Sequence, residues 1–307
     1  MLINQFVNFC DSVFPFKNAI EGDKVGLQLI NKRKVVKKVL FTLEITNEVV
    51  EEAKLLEIDT IISFHPLIFK GINLSIEERV ENLVRELIIN DINVLIIHTN
   101  FDTFEFGTNY LFAKKLGLNI IDYLIPLSNN SIESYGMGLI CKPNISHITK
   151  LNQNNQLGYW VEKISSEINS PVKFTNNESG LVNNIAIICG SGSSFLDEII
   201  KKNEKLSNED KIDTFITADI SYHTFHRCRG VINMIDVGHY EMEQFVPDGM
   251  YKIIKEKYEN YTSNSNIIEL DTQNKIKFYL SKVLTNPVDF YPNLNYKENQ
   301  LNYLLNH

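Results

Sequence analysis

Asp59-Thr-Ile-Ile-Ser-Phe-His65 is a short apolar run that stops on a histidine, and the same arrangement returns in Asn93-Val-Leu-Ile-Ile-His98 and Ile235-Asp-Val-Gly-His239. Runs of four or five β-branched and aliphatic residues, with polar residues at both ends and no helical spacing, read as buried strands. Amphipathic stretches separate them. After an opening helix from Asn4 to Val13, Val36 to Leu43 reads as a strand and Thr46 caps a helix whose face is Val49, Val50, Ala53 and Leu56. Ser75-Ile-Glu-Glu78 reads as a capping box opening a helix through Leu83 and Leu87, and the helix from Asn109 to Leu116 stops at Gly117. Alternation of this kind predicts an α/β fold in which strands are joined by helical crossovers.

A second round of the same grammar begins after the polar stretch from about Lys142 to Gln156. Strands at Asn184 to Ile188, Thr214 to Thr217 and Val231 to Val237 alternate with helices around Tyr222 to Arg229 and from Tyr240 to about Tyr258. Two similar α/β lobes are therefore expected, residues 1-126 and 127-307. The part from about 240 to 290 is expected to return to the first lobe, with a short C-terminal extension beyond it. At 307 residues the chain is long enough for two such lobes without disulfide staples. Its four cysteines are scattered singly and read as buried thiols.

Thirty basic against 38 acidic residues give a net charge of −8, which argues against nucleic acid as a partner. No apolar run of membrane-spanning length occurs, and the first residues lack the basic and apolar regions of a secretion signal, so no membrane contact and a cytoplasmic location are expected.

The strand-end histidines carry the chemical signal, because ligands of open α/β sheets collect where the carboxyl ends of strands converge. Asp102 follows His98 by four residues and Glu243 follows His239 by four, a spacing that puts the second pair on one helix face. Imidazoles and carboxylates from separate loops suit Zn, Fe or Mn better than Mg or Ca. A lone strand-end histidine is more often a hydrogen-bonded residue than a ligand, and three together shift that balance toward a metal site. Asp219 and His223 fit a capping or supporting role as well as a catalytic one. Gly190-Ser-Gly-Ser-Ser194 reads as a tight turn more readily than as a phosphate cradle, since no complete nucleotide-binding motif accompanies it.

Six pieces in order, Gly26-Leu-Gln28, Ser63-Phe-His-Pro-Leu-Ile-Phe69, His98-Thr-Asn-Phe-Asp102, Gly190-Ser-Gly-Ser-Ser194, Asp219-Ile-Ser-Tyr-His223 and Gly238-His-Tyr-Glu-Met-Glu243, make the chain resemble the GTP cyclohydrolase I type 2 homologues, the NIF-three-like proteins. The resemblance implies the NIF-three-like fold, with two α/β lobes carrying mixed sheets and facing a dinuclear metal site, in a toroidal homohexamer. It implies His65, Asp102, His239 and Glu243 as metal ligands. It also implies a metal-dependent hydrolase acting on a purine nucleotide such as GTP, with His223 or Glu241 as proton carriers. Two departures stand out. The family has two adjacent histidines before the proline, and the first is Phe64 here, so one firmly held divalent ion and a weak or absent second are expected. Gly22-Asp-Lys-Val25 also differs from the family's early motif. A non-enzymatic, metal-binding hexameric scaffold or regulator is the alternative that Phe64 favours.

Overall fold

The computed structural model describes residues 1–127, 135–144, 155–264 and 275–290. Two mixed sheets organise them. The first runs β1(Gly26–Leu29), β4(Asn93–Ile96), β3(Thr60–Ser63), β2(Lys38–Thr42), β11(Lys277–Leu280), with β1 antiparallel to β4 and the other neighbours parallel. The second runs β5(Asn119–Pro126), β6(Gly136–Lys142), β8(Ile185–Ile187), β9(Thr214–Thr217), β10(Asn233–Asp236), β7(Lys173–Thr175), with β8, β9 and β10 parallel. All four residues of β3, β4, β9 and β10 are buried, because helices cover both faces of each sheet.

Alternation along the strands distributes side chains between two layers on each sheet. In the first sheet Leu40, Ile61, Val94 and Ile96 face α2(Asn47–Leu55) and α3(Arg79–Ile89), packing on Val50, Ala53, Leu83 and Leu87. Phe41, Ile62 and Leu95 face the other way, onto Phe6 of α1(Ile3–Val13) and Met250 and Ile254 of α10(Val246–Asn264). Both α10 and β11 follow the second sheet in sequence yet pack on the first. In the second sheet, α5(Thr108–Lys115) and α6(Leu157–Ile168) cover one face and α7(Leu196–Asn203) and α8(Tyr222–Cys228) the other. The four cysteines are buried and unpaired. Among the described residues no helix is long and apolar enough to cross a membrane.

Most strands named from the sequence occur within a residue or two of their expected bounds. The capping box does not. Ser75 gives its hydroxyl (2.8 Å) and its N–H (3.0 Å) to Asn73 Oδ1, which closes a local turn, and α3 starts four residues later with Glu78 before its first turn. Helix-period residues from Tyr240 divide into the five-residue α9(His239–Glu243) and α10. Hairpin β5–β6 had no sequence signal, because β5 is a mostly exposed edge strand without clean alternation. The polar passage before Gln156 lies largely outside the described residues.

Thr46 Oγ1 does accept the Val49 N–H at 3.3 Å, as an N-cap should. Thr46→Ala is expected to lower unfolding free energy by about 1 kcal/mol. Ser75→Ala, in contrast, should stay within about 0.5 kcal/mol. Urea unfolding of the two variants checks this.

Candidate metal centre

Each strand-end histidine sits where its strand stops and a loop turns back over the sheet edge. His65 follows β3, and its peptide is fixed by Ser63, whose hydroxyl donates to His65 O at 2.9 Å. His98 follows β4 and leads into α4(Thr99–Asp102), while Gly238, at φ 93°, turns the chain so that α9 begins on His239. One helical turn then places Glu243 beside His239.

His65 Nε2 and His239 Nε2 each lie 3.1 Å from Glu243 Oε2. One donor atom from each of these three residues falls within 4.8 Å of the other two. Glu243 is 3% exposed, and its Oε2 makes no hydrogen bond despite the two nearby nitrogens. An oxygen in that state is costly unless something else satisfies it. Bonds of about 2.1 Å to one ion place neighbouring donors roughly 3 to 3.4 Å apart, a range that includes both imidazole–carboxylate separations. The buried His/His/Glu cluster could hold a metal ion.

The imidazoles are oriented by a common device. His65 Nδ1 lies 2.8 Å from Glu44 Oε1, His98 Nδ1 lies 2.9 Å from Asp23, and His239 Nδ1 lies 2.7 Å from Asp219 Oδ2. Carboxylates only accept, so each Nδ1 carries a hydrogen and Nε2 is the nitrogen left for a metal, which would displace any proton there. Sequence reading missed Asp23 and Glu44, and left the role of Asp219 open. Their positions obey a simple rule: each carboxylate lies where a strand adjacent to the histidine's own strand meets the same sheet edge. Glu44 follows β2 beside β3, Asp219 follows β9 beside β10, and Asp23 precedes β1, which runs antiparallel beside β4. A search for acidic residues at such strand ends would have found all three.

Asp102 lies outside the close three-residue group, but its Oδ1 is buried without a partner. Burial raises its carboxyl to about 6, with Glu243 adding repulsion and His98 opposing the rise. His98 lies 5.5 Å from His65, ring to ring. Phe64 is fully buried against both, its ring 5.0 Å from that of His65 and edge-on to His98 at 5.1 Å. Of the two expected proton carriers, His223 is exposed on α8 with its ring against Tyr222, and Glu241 is buried with Oε1 accepting from Asn286 Nδ2 at 2.9 Å. Neither belongs to the His/Glu group. Gly190 forms the tight turn expected of the glycine-serine stretch, its carbonyl accepting the Thr217 hydroxyl (3.1 Å) and the Ala218 N–H (3.0 Å).

The sequence profile of the Duf34/NIF3 (NGG1p interacting factor 3) family matches residues 1–275. The chain belongs to that family. Among Duf34/NIF3 relatives, the GTP cyclohydrolase 1 type 2 homolog of Lactococcus lactis is 29% identical, over 94% of this chain and 98% of the relative. The homolog of Clostridium perfringens is 26% identical, over 94% of this chain and all of its own length. The crystal structure of Staphylococcus aureus protein SA1388 superposes with a TM-score of 0.76 at 27% identity, covering 94% of this chain and 99% of that one. A Bacillus cereus protein related to NIF3 gives 0.75 at 21% identity, with the same coverage, and shares the fold.

Without a metal, the cluster is held by protons. Burial would discharge His65, but Glu243 and Glu44 outweigh it and raise its pKa to about 10; Glu243, against burial, is the main cause that lifts His239 to about 9. Burial would raise Glu243, yet the two rings pull it down to about 2. The histidines therefore stabilise the metal-free fold fully below their unfolded value of 6.5, and this contribution fades as pH rises through 9 to 10. The Glu243 contribution is complete above 4.5 and is lost as pH falls toward 2. Melting temperature of the chelated chain should thus decline between pH 6.5 and 10, and His65→Gln should flatten that decline.

Gly190 has φ 69°, and a Cβ there would collide with Glu243 Oε1 and come within 3.5 Å of His239 Nε2. Gly190→Ala should displace the carboxylate and weaken zinc binding at least tenfold, measured by competition with a chromophoric chelator.

Proposed function

We propose that the chain holds one divalent transition-metal ion, zinc, iron or manganese, between His65, His239 and Glu243, with Asp102 completing the ligand set. The observation that carries this reading is Glu243 Oε2, buried without a hydrogen bond and 3.1 Å from two imidazole nitrogens. Mixed nitrogen and oxygen donors suit these ions. Support for one ion rather than two comes from Phe64, whose arene fills the space beside His98 and offers no donor.

On this reading the protein is a metal-dependent hydrolase acting on a purine nucleotide or a related small molecule, the class suggested by the name of its Lactococcus and Clostridium relatives. A bound ion supplies Lewis acidity, which makes water nucleophilic at neutral pH. Glu44 and Asp219 hold the His65 and His239 rings in place, and Glu243 contributes negative charge from a buried position. His223, exposed four residues beyond Asp219, is on this reading the proton carrier. Phe64 favours a second reading, a non-enzymatic metal-binding homohexamer that acts as a scaffold or regulator, because two-metal chemistry needs both ions.

Elemental analysis combined with a formate assay on GTP tests both. About one metal per chain is expected, none in His65→Ala, and a second in Phe64→His. Formate release that His65→Ala abolishes supports the hydrolase; no release from fully loaded protein leaves the scaffold. A chain that takes up no metal defeats both readings.

A further inference from the structure

Asp236 is the last residue of β10 and is 2% exposed. Its Oδ1 accepts the Gly238 N–H at 3.1 Å, and its Oδ2 accepts the Ile220 N–H at 3.2 Å. Lys173 reaches in from the neighbouring edge strand β7, with Nζ 2.6 Å from the same Oδ2, although 70% of the lysine side chain is exposed. The two backbone donors belong to different loops. Gly238 immediately precedes His239, and Ile220 immediately follows Asp219, which has the left-handed φ of 55° and bonds His239 Nδ1.

We propose that Asp236, held by Lys173, is the positioning residue for His239: one carboxylate ties the loop bearing the imidazole to the loop bearing its orienting acid. This deepens the metal-site reading and rests on it. Asp219 pays for a backbone conformation that non-glycine residues rarely adopt, so an external tie is needed to keep it there. The first lobe solves the same problem differently, since the His98 N–H is held by Asn100 Oδ1, two residues away, at 2.9 Å. An amide at position 236 cannot replace the carboxylate. It has one accepting oxygen, and its nitrogen would face a donor on one of the two loops, so one tie must break. Removing Lys173 leaves the buried carboxylate without its counter-charge and loosens the same junction.

Cobalt(II) titration followed by visible absorption, zinc competition against a chromophoric chelator, and melting of the chelated chain are measured for Asp236→Asn and Lys173→Met. Both variants should bind zinc about tenfold more weakly. Their cobalt spectra should shift, reporting an altered ligand field in the folded, loaded protein. A purely structural role would lower the melting temperature of the chelated chain and leave the loaded spectrum unchanged. Lys173→Met, altered at an exposed side chain, keeps the test open if Asp236→Asn does not fold. Unchanged affinity and spectrum in the variants overturn the inference while the metal site stands. Absence of any cobalt spectrum in the unaltered chain overturns the metal site itself.

Discussion

A buried carboxylate lies between the two sheets, and the surrounding architecture exists in relation to it. Glu243 is 3% exposed, a position that strongly disfavours its charged form unless opposite charge lies close by. That charge comes from two directions: His239, one helical turn earlier in α9, and His65, from the end of β3 in the other sheet. The pairing thus links the two sheets through a polar contact. Gly190 contributes by omission, since any side chain there would take the space of the Glu243 carboxylate.

The two lobes build this meeting point with one grammar. A buried strand ends on a histidine, a very short helix follows, and four residues later a carboxylate returns to the same place, giving His98 with Asp102 and His239 with Glu243. In each case an acid at the end of an adjacent strand grips Nδ1 and aims Nε2 away from it. Adjacent strands bring their ends within reach of each other automatically, so the orienting pairs follow from strand order rather than from spacing along the chain. Asp23 and His98 are 75 residues apart in sequence yet share a hydrogen bond.

This difference explains what could be read beforehand. His65, His239 and Glu243 were legible because strand-end placement and a four-residue spacing are local patterns, and the structure brings those three together. Helix α2 and its Thr46 cap were legible for the same reason. Glu44 was not, since its partner His65 follows a different strand, and Asp23 drew notice only as part of a stretch that departs from the family pattern. The structure gives that stretch a role, because Asp23 orients His98 and also accepts the Thr99 N–H at 3.2 Å. Ser75 misled because its hydroxyl, suited to capping, is occupied by Asn73. Strand β11 lacked a signal of its own, being four residues that become a strand by pairing with β2.

Anomalous diffraction from crystals soaked with zinc and measured on both sides of its absorption edge tests the central claim most directly. The account predicts one strong peak within bonding distance of His65 Nε2, His239 Nε2 and Glu243 Oε2. It would be contradicted by a map with no peak there, or by zinc bound only at surface groups such as His226 while Glu243 remains closed on its two imidazoles.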